Sequence, residues 1–153
     1  MTKIDVGQVI TIFANIGVIL GIGLLAFELH QNNELLESQA NLVLLQNRLA
    51  GAEWVASDDS LGMALIKEQN GGELSPLELL KLENYYYATL SKWEWEHRQN
   101  LAGLISSDNL PVNDWRAVFA SSQGFSRVWS DDEFRKRFSN DFIDFIDENI
   151  AGR

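Results

Sequence analysis

From Val6 to Phe27 the chain carries no charged residue and reads VGQVITIFANIGVILGIGLLAF. A helix of that length rises roughly 33 Å at about 1.5 Å per residue, enough to cross a hydrocarbon core of about 30 Å. Gln8, Thr11 and Asn15 interrupt its first half, but Ile16 to Phe27 is apolar or glycine on every side. A helix buried in a soluble core keeps a polar stripe, and this segment has none. A cleaved signal sequence wants a basic start and a small-residue cleavage site. Here only Lys3 precedes the run and FELHQNN follows it. The pattern predicts a short tail over residues 1–5 and a transmembrane helix over residues 6–27.

Beyond the span the periodicity stays helical. Leu35, Leu42 and Leu49 recur at seven-residue intervals, with Leu36, Val43 and Ala50 beside them and Trp54 further on. This is an apolar stripe at helical spacing. With no proline to interrupt it, one helix is expected to run from the membrane to about Ser57, where Ser57, Asp58, Asp59 and Ser60 mark a break. A short helix over 61–68 should end at Asn70, Gly71 and Gly72. Ser75, Pro76 and Glu78 then form a capping box with proline in the first turn. The helix they open should run to about Leu101, with Gly103 closing it, and carry Leu79, Leu82, Tyr86, Leu90 and Trp93 inward. Tyr85, Tyr87 and Trp95 broaden that face.

After a loop over 108–111, helices are expected over 112–121, bearing Trp115, Val118 and Phe119, and over 125–138, bearing Phe125, Val128 and Trp129. Ser139 should cap a last helix in which Phe142, Ile143, Phe145, Ile146 and Ile150 oppose Asp141, Asp144, Asp147 and Glu148. Strand-like alternation is absent. The fold class is therefore all-α: an N-terminal transmembrane helix continuing into a helical bundle, with residues 28–153 forming an acidic, all-helical soluble domain.

Charge narrows the partners. The formal net charge is −10, and Lys3 and Asp5 cancel, so the excess belongs to the chain from Glu28 onward. Such a domain repels nucleic acid, whose phosphates it cannot neutralise. Arg135, Lys136 and Arg137 follow Asp131, Asp132 and Glu133 and read as a solvated helix face. With no cysteine there are no disulfides or thiolate metal sites. Basic residues close to a span normally orient it, but Arg48 is the first one after it, so charge alone leaves the topology open.

The segments LLAFELHQNNELLESQA, SPLELLKLENYYYATLSKWEWEHRQNLAGLI and SQGFSRVWSDDEFRKRFSNDF resemble a group of small bacterial proteins of unknown function. Each has a single N-terminal span running into a helical domain. The resemblance implies a bacterial inner-membrane location with the domain in the cytoplasm, and it brings no activity or catalytic residues. The group's junction after the span is often basic, whereas here it reads HQNNELLES.

Candidate chemistry is sparse. Gly7, Ala14, Gly17 and Gly21 fall on one side of the span, Gly17 and Gly21 as a G-x-x-x-G pair, which favours close helix packing in lipid. Gln8, Thr11 and Asn15 lie on a neighbouring face and would need partners within hydrocarbon, across an oligomer interface or along a pore. Glu94-x-x-His97 matches half of a di-iron site in a helical bundle, but the second copy of the pair that such a site needs is missing, since the residue three before His30 is Phe27. The pair reads instead as a polar edge of the central helix. No G-x-S-x-G elbow, phosphate-binding loop or dinucleotide fingerprint occurs. The aromatic run from Tyr85 to Trp95 reads as core.

The expectation is a non-enzymatic, membrane-anchored interaction or accessory subunit, with no catalytic, metal or cofactor site. Its expected partners are membrane lipid and either further copies of itself or another membrane protein. The alternatives are a homo-oligomeric channel with Asn15 facing water, and a membrane-bound metal enzyme using Glu94 and His97.

Overall fold

The computed structural model describes residues 6–152. It is all-α, with 85% helix and no strand among the described residues. The chain divides into two compact units, one up to Gln39 and one from Ala40 onward.

Helix α1 spans Val6–Ser57 without interruption. It contains no proline, and Asp58 halts it at the expected break. Asp58 sits in extended backbone and its carboxylate accepts the N–H groups of Ser60 and Leu61 at 3.0 and 3.1 Å, which starts α2 (Asp59–Gln69). The same carboxylate pairs with Lys81 at 3.0 Å. The first unit holds the apolar part of α1, long and apolar enough to cross a membrane and with none of that stretch buried.

Within the second unit, α2 and α3 (Pro76–Leu101) both close as glycine-capped helices. Gly71 adopts φ +69°, its N–H donating to Glu68 O at 3.0 Å while Gly72 N–H reaches Lys67 O at 2.8 Å. Gly103, at φ +74°, and Leu104 repeat that pair of bonds onto Asn100 and Gln99. Left-handed backbone at these two positions is what glycine supplies without steric cost. The expected capping box is present, Ser75 Oγ accepting Glu78 N–H and Glu78 accepting Ser75 N–H at 2.7 Å. Lys67 ties α2 to the same glutamate at 3.0 Å.

Leu82, Tyr86, Leu90 and Trp93 make α3 the centre of the core, while Leu79 at the stripe's start is exposed. Trp93 lies flat between Trp115 and Phe125, with ring centroids 5.1 and 5.4 Å away. Trp115 and Phe119 come from α4 (Val112–Ser121), where Val118 points outward instead of inward. A short 3-10 turn, Ser107–Asn109, occupies the expected loop before it.

The helix expected over 125–138 is two helices, α5 (Gln123–Trp129) and α6 (Asp132–Arg135). Ser122 opens the first, accepting Phe125 N–H at 3.4 Å, and Asp131 opens the second, accepting Glu133 N–H at 2.9 Å. An aspartate that captures a nearby backbone donor favours a cap over a helix interior, which is why the chain turns there. The turn lets Trp129, Phe134 and Phe138 all reach the core. The last expected helix is shorter, α7 (Asn140–Ile146), and gives way to a π turn over Asp147–Ala151 that keeps Ile150 inside. Ser139 stands at its N-cap position, but its side chain makes no capping bond.

Candidate functional site

The residues singled out in the span all lie on α1. Gln8, Thr11, Ala14, Asn15 and Gly17 are exposed, and Gly21 is half-buried. Thr11 Oγ1 donates to Gly7 O at 2.9 Å, so its hydroxyl is satisfied by its own helix as a hydroxyl in hydrocarbon requires. A Cβ added at Gly17 or Gly21 would meet nothing within 4 Å, which leaves that side of the helix open to a close neighbour.

Further along α1, the expected stripe does not rest on the domain. Leu42, Leu45 and Leu49 are 56%, 54% and 62% exposed, and Leu35 is equally open. The residues buried from this helix are Ala40 and Leu44, packed with Ile105 and flanked by Trp95 and Leu104. Heptad-spaced leucines signal an apolar face without saying what covers it, and here the domain takes the opposite side. Trp54 lies under Lys92, whose ammonium is 5.1 Å from the indole and donates to Asn47 O at 3.3 Å.

Glu94 and His97 are not a polar edge; both are buried. Glu94 Oε1 accepts the backbone N–H of Ser139 at 2.8 Å, and its other oxygen meets Arg98 at 3.2 Å. A carboxylate from α3 thus holds the N–H of the residue that precedes α7, while the capping bond expected of the Ser139 hydroxyl is not made. His97 packs against Phe145 and Phe142 at 4.2 and 6.0 Å between ring centroids. Its Nδ1 has no hydrogen-bond partner, and burial lowers its pKa, favouring the neutral ring. Among the described residues no group of three or more His, Asp or Glu side chains converges in a way that could hold a metal ion.

Between Glu94 and His97 on α3, the sequence showed no sign of the role of Glu96. It is 3% exposed and its Oε2 has no hydrogen-bond partner. Burial pushes its pKa up to about 7, against the pull of Arg48 and Lys92. A charge pattern on one helix does not reveal this, because Arg48, one of the two cations that attract the carboxylate, lies on α1.

A second polar cluster joins parts of the chain that are far apart in sequence. Tyr86, almost fully buried, donates its hydroxyl to Glu68, and Ser122 Oγ donates to the Tyr86 oxygen at 3.5 Å. Arg127 closes the group on the other Glu68 oxygen at 3.0 Å. Burial first, and then the Glu68 carboxylate, raise the phenol's pKa, so Tyr86 stays protonated. Gly124 faces this ring so closely that a Cβ would lie 2.0 Å from the phenolic oxygen. The cleft beside the cluster, lined by Leu65, Gln69 and Gln123 among others, measures about 210 Å³. Cavities that take drug-sized ligands start at about 300 Å³, and this cleft is smaller. The cluster therefore reads as a structural network joining α2, α3 and α5.

These features define a class: an all-α protein with a long apolar N-terminal helix, followed in the chain by a small helical domain. Compared with protein-family models, curated proteins and solved structures, the chain matches none of them.

Proposed function

We propose that this chain is a single-pass membrane protein without enzymatic activity, whose helical domain serves as an interaction or accessory subunit of a membrane complex or of a homo-oligomer. The observation that carries the reading is the bare apolar surface of α1. Phe13, Ile19, Leu20, Leu24 and Leu25 are all exposed, while the chain encloses a well-packed aromatic core elsewhere. In water, uncovered apolar area costs roughly 25 cal/mol per Å², a penalty that a lipid surrounding removes. The resemblance of the junction and central segments to small bacterial inner-membrane proteins supports placing the domain on the cytoplasmic side.

Membrane fractionation followed by an alkaline carbonate wash tests the anchor. Retention of the full chain in the washed pellet supports it, and release into the supernatant overturns it. Protease added to intact spheroplasts tests the orientation, since a cytoplasmic domain is cleaved only after the membrane is opened.

A further inference from the structure

The exposed leucines of α1 have a spacing, a direction and flanking charges that together specify an occupant. With Leu42 as the first position of a heptad, Leu49 repeats it, Leu45 takes the fourth position, and Leu35 falls in the same register by sequence. At 100° per residue Leu35, Leu42 and Leu49 lie roughly 140–180° around the helix from Ala40 and Leu44, the residues buried against the domain, and Leu45 lies about 140° from Ala40 and about 100° from Leu44. The middle of the seam therefore faces away from Ala40 and Leu44. A 3.5-residue apolar repeat is the pattern by which one helix meets another along its length.

We propose that the occupant is a second copy of this chain, paired in parallel and in register along α1 from Leu42 to Glu53. This rests on the membrane-anchored reading, because two copies inserted in the same sense meet parallel and at the same depth. The charges beside the seam fit that arrangement. In a parallel pair, the residue just before each first-position leucine faces the partner residue five places further on. Arg48 then faces Glu53 of the partner subunit, and Glu53 faces the other Arg48, so both contacts are attractive across a two-fold axis. The preceding pair, Asn41 and Gln46, is neutral. In a domain of high negative charge, no like-charged pair falls at these flanking positions. Arg48 and Glu53 are both exposed, Arg48 keeping one guanidinium nitrogen on Asn109 O at 3.0 Å.

The natural absence of cysteine makes the test direct. Leu42→Cys, Val43→Cys, Leu45→Cys and Leu49→Cys are each introduced into the full chain and oxidised in native membranes, and the products are resolved without reductant. Pairing along the seam gives a disulfide-linked dimer at 42, 45 and 49 and loses it at 43, which lies about 100° away. Uniform cross-linking at all four positions, or none at the seam, overturns the proposal. A second measurement reads the charges. Glu53→Arg sets like charges opposite each other and should weaken the Leu45→Cys cross-link, and adding Arg48→Glu should restore it. Failure of the double variant to recover counts against the pairing. Retention of an uncross-linked chain in the carbonate-washed pellet would sink the dimer and leave the anchor standing, whereas release from the pellet would sink the anchor itself.

Discussion

Glu96 carries a carboxyl group into a place where its charge has no adequate partner. Arg48 and Lys92 attract it, but burial outweighs them and holds its pKa near about 7, against an ordinary value of 4.5. The folded protein therefore keeps a proton that the unfolded chain has already released. The resulting contribution to stability is whole below about pH 4.5 and is lost as the pH climbs through about 7. Asp58 and Glu78 act in the opposite sense. Both are held near about 2, Asp58 chiefly by the Ser60 hydroxyl and Lys81, and Glu78 chiefly by the Ser75 N–H. Their contribution is present above about pH 4 and fades as the pH falls toward 2. Thermal unfolding of the detergent-solubilised chain should then show a lower midpoint at pH 8 than at pH 6. Glu96→Gln should flatten that slope, and an unchanged slope in the variant would show that another group is responsible. Nothing along the chain singles out Glu96, since a glutamate among charged neighbours on a helix normally faces water. Its burial is set by the tertiary fold, which the spacing along one helix does not reveal.

At the scale of elements, sequence signals succeeded where the bond that ends a helix is local. Ser75, Pro76 and Glu78 opened α3 as expected, and Gly71 and Gly103 closed α2 and α3 through left-handed backbone. The signals failed where a partner far along the chain decides. Ser139 stands where a cap belongs, yet its hydroxyl makes no capping bond and its own N–H is held by Glu94 from α3. The two serines should therefore respond differently to the same change. Ser75→Ala removes an oxygen that accepts the Glu78 N–H and should cost about 1 kcal/mol, whereas Ser139→Ala should fall within about 0.5 kcal/mol of the parent. Chemical denaturation of both variants makes the comparison, and equal losses would contradict the finding that Ser75 caps its helix through its side chain and Ser139 does not. The break at Ser130 and Asp131 was legible in principle, because serine and aspartate ahead of Glu133 resemble a helix start. Continuous apolar spacing from Phe125 to Phe138 concealed it.

For the molecule as a whole, the division between a long apolar N-terminal helix and an aromatic core could be read from the sequence, because it depends on the bulk distribution of apolar residues. Leu90, on the inward face of α3, shows how fully that core excludes water, with no exposed surface. Leu90→Ala should cost about 2–5 kcal/mol and lower the unfolding midpoint without releasing the chain from the membrane, since the anchor and the core are built from different residues. Loss of membrane retention in that variant would mean that insertion depends on the folded domain. The contact between Gly124 and the Tyr86 phenol has a last consequence at this scale. Each residue dictates the permissible size of the other, although they sit on separate helices. Gly124→Ala alone should therefore fold poorly, and shortening the aromatic side chain in the same molecule, as Tyr86→Leu, should recover part of the loss. Any lineage that enlarged one position would have had to shrink the other first.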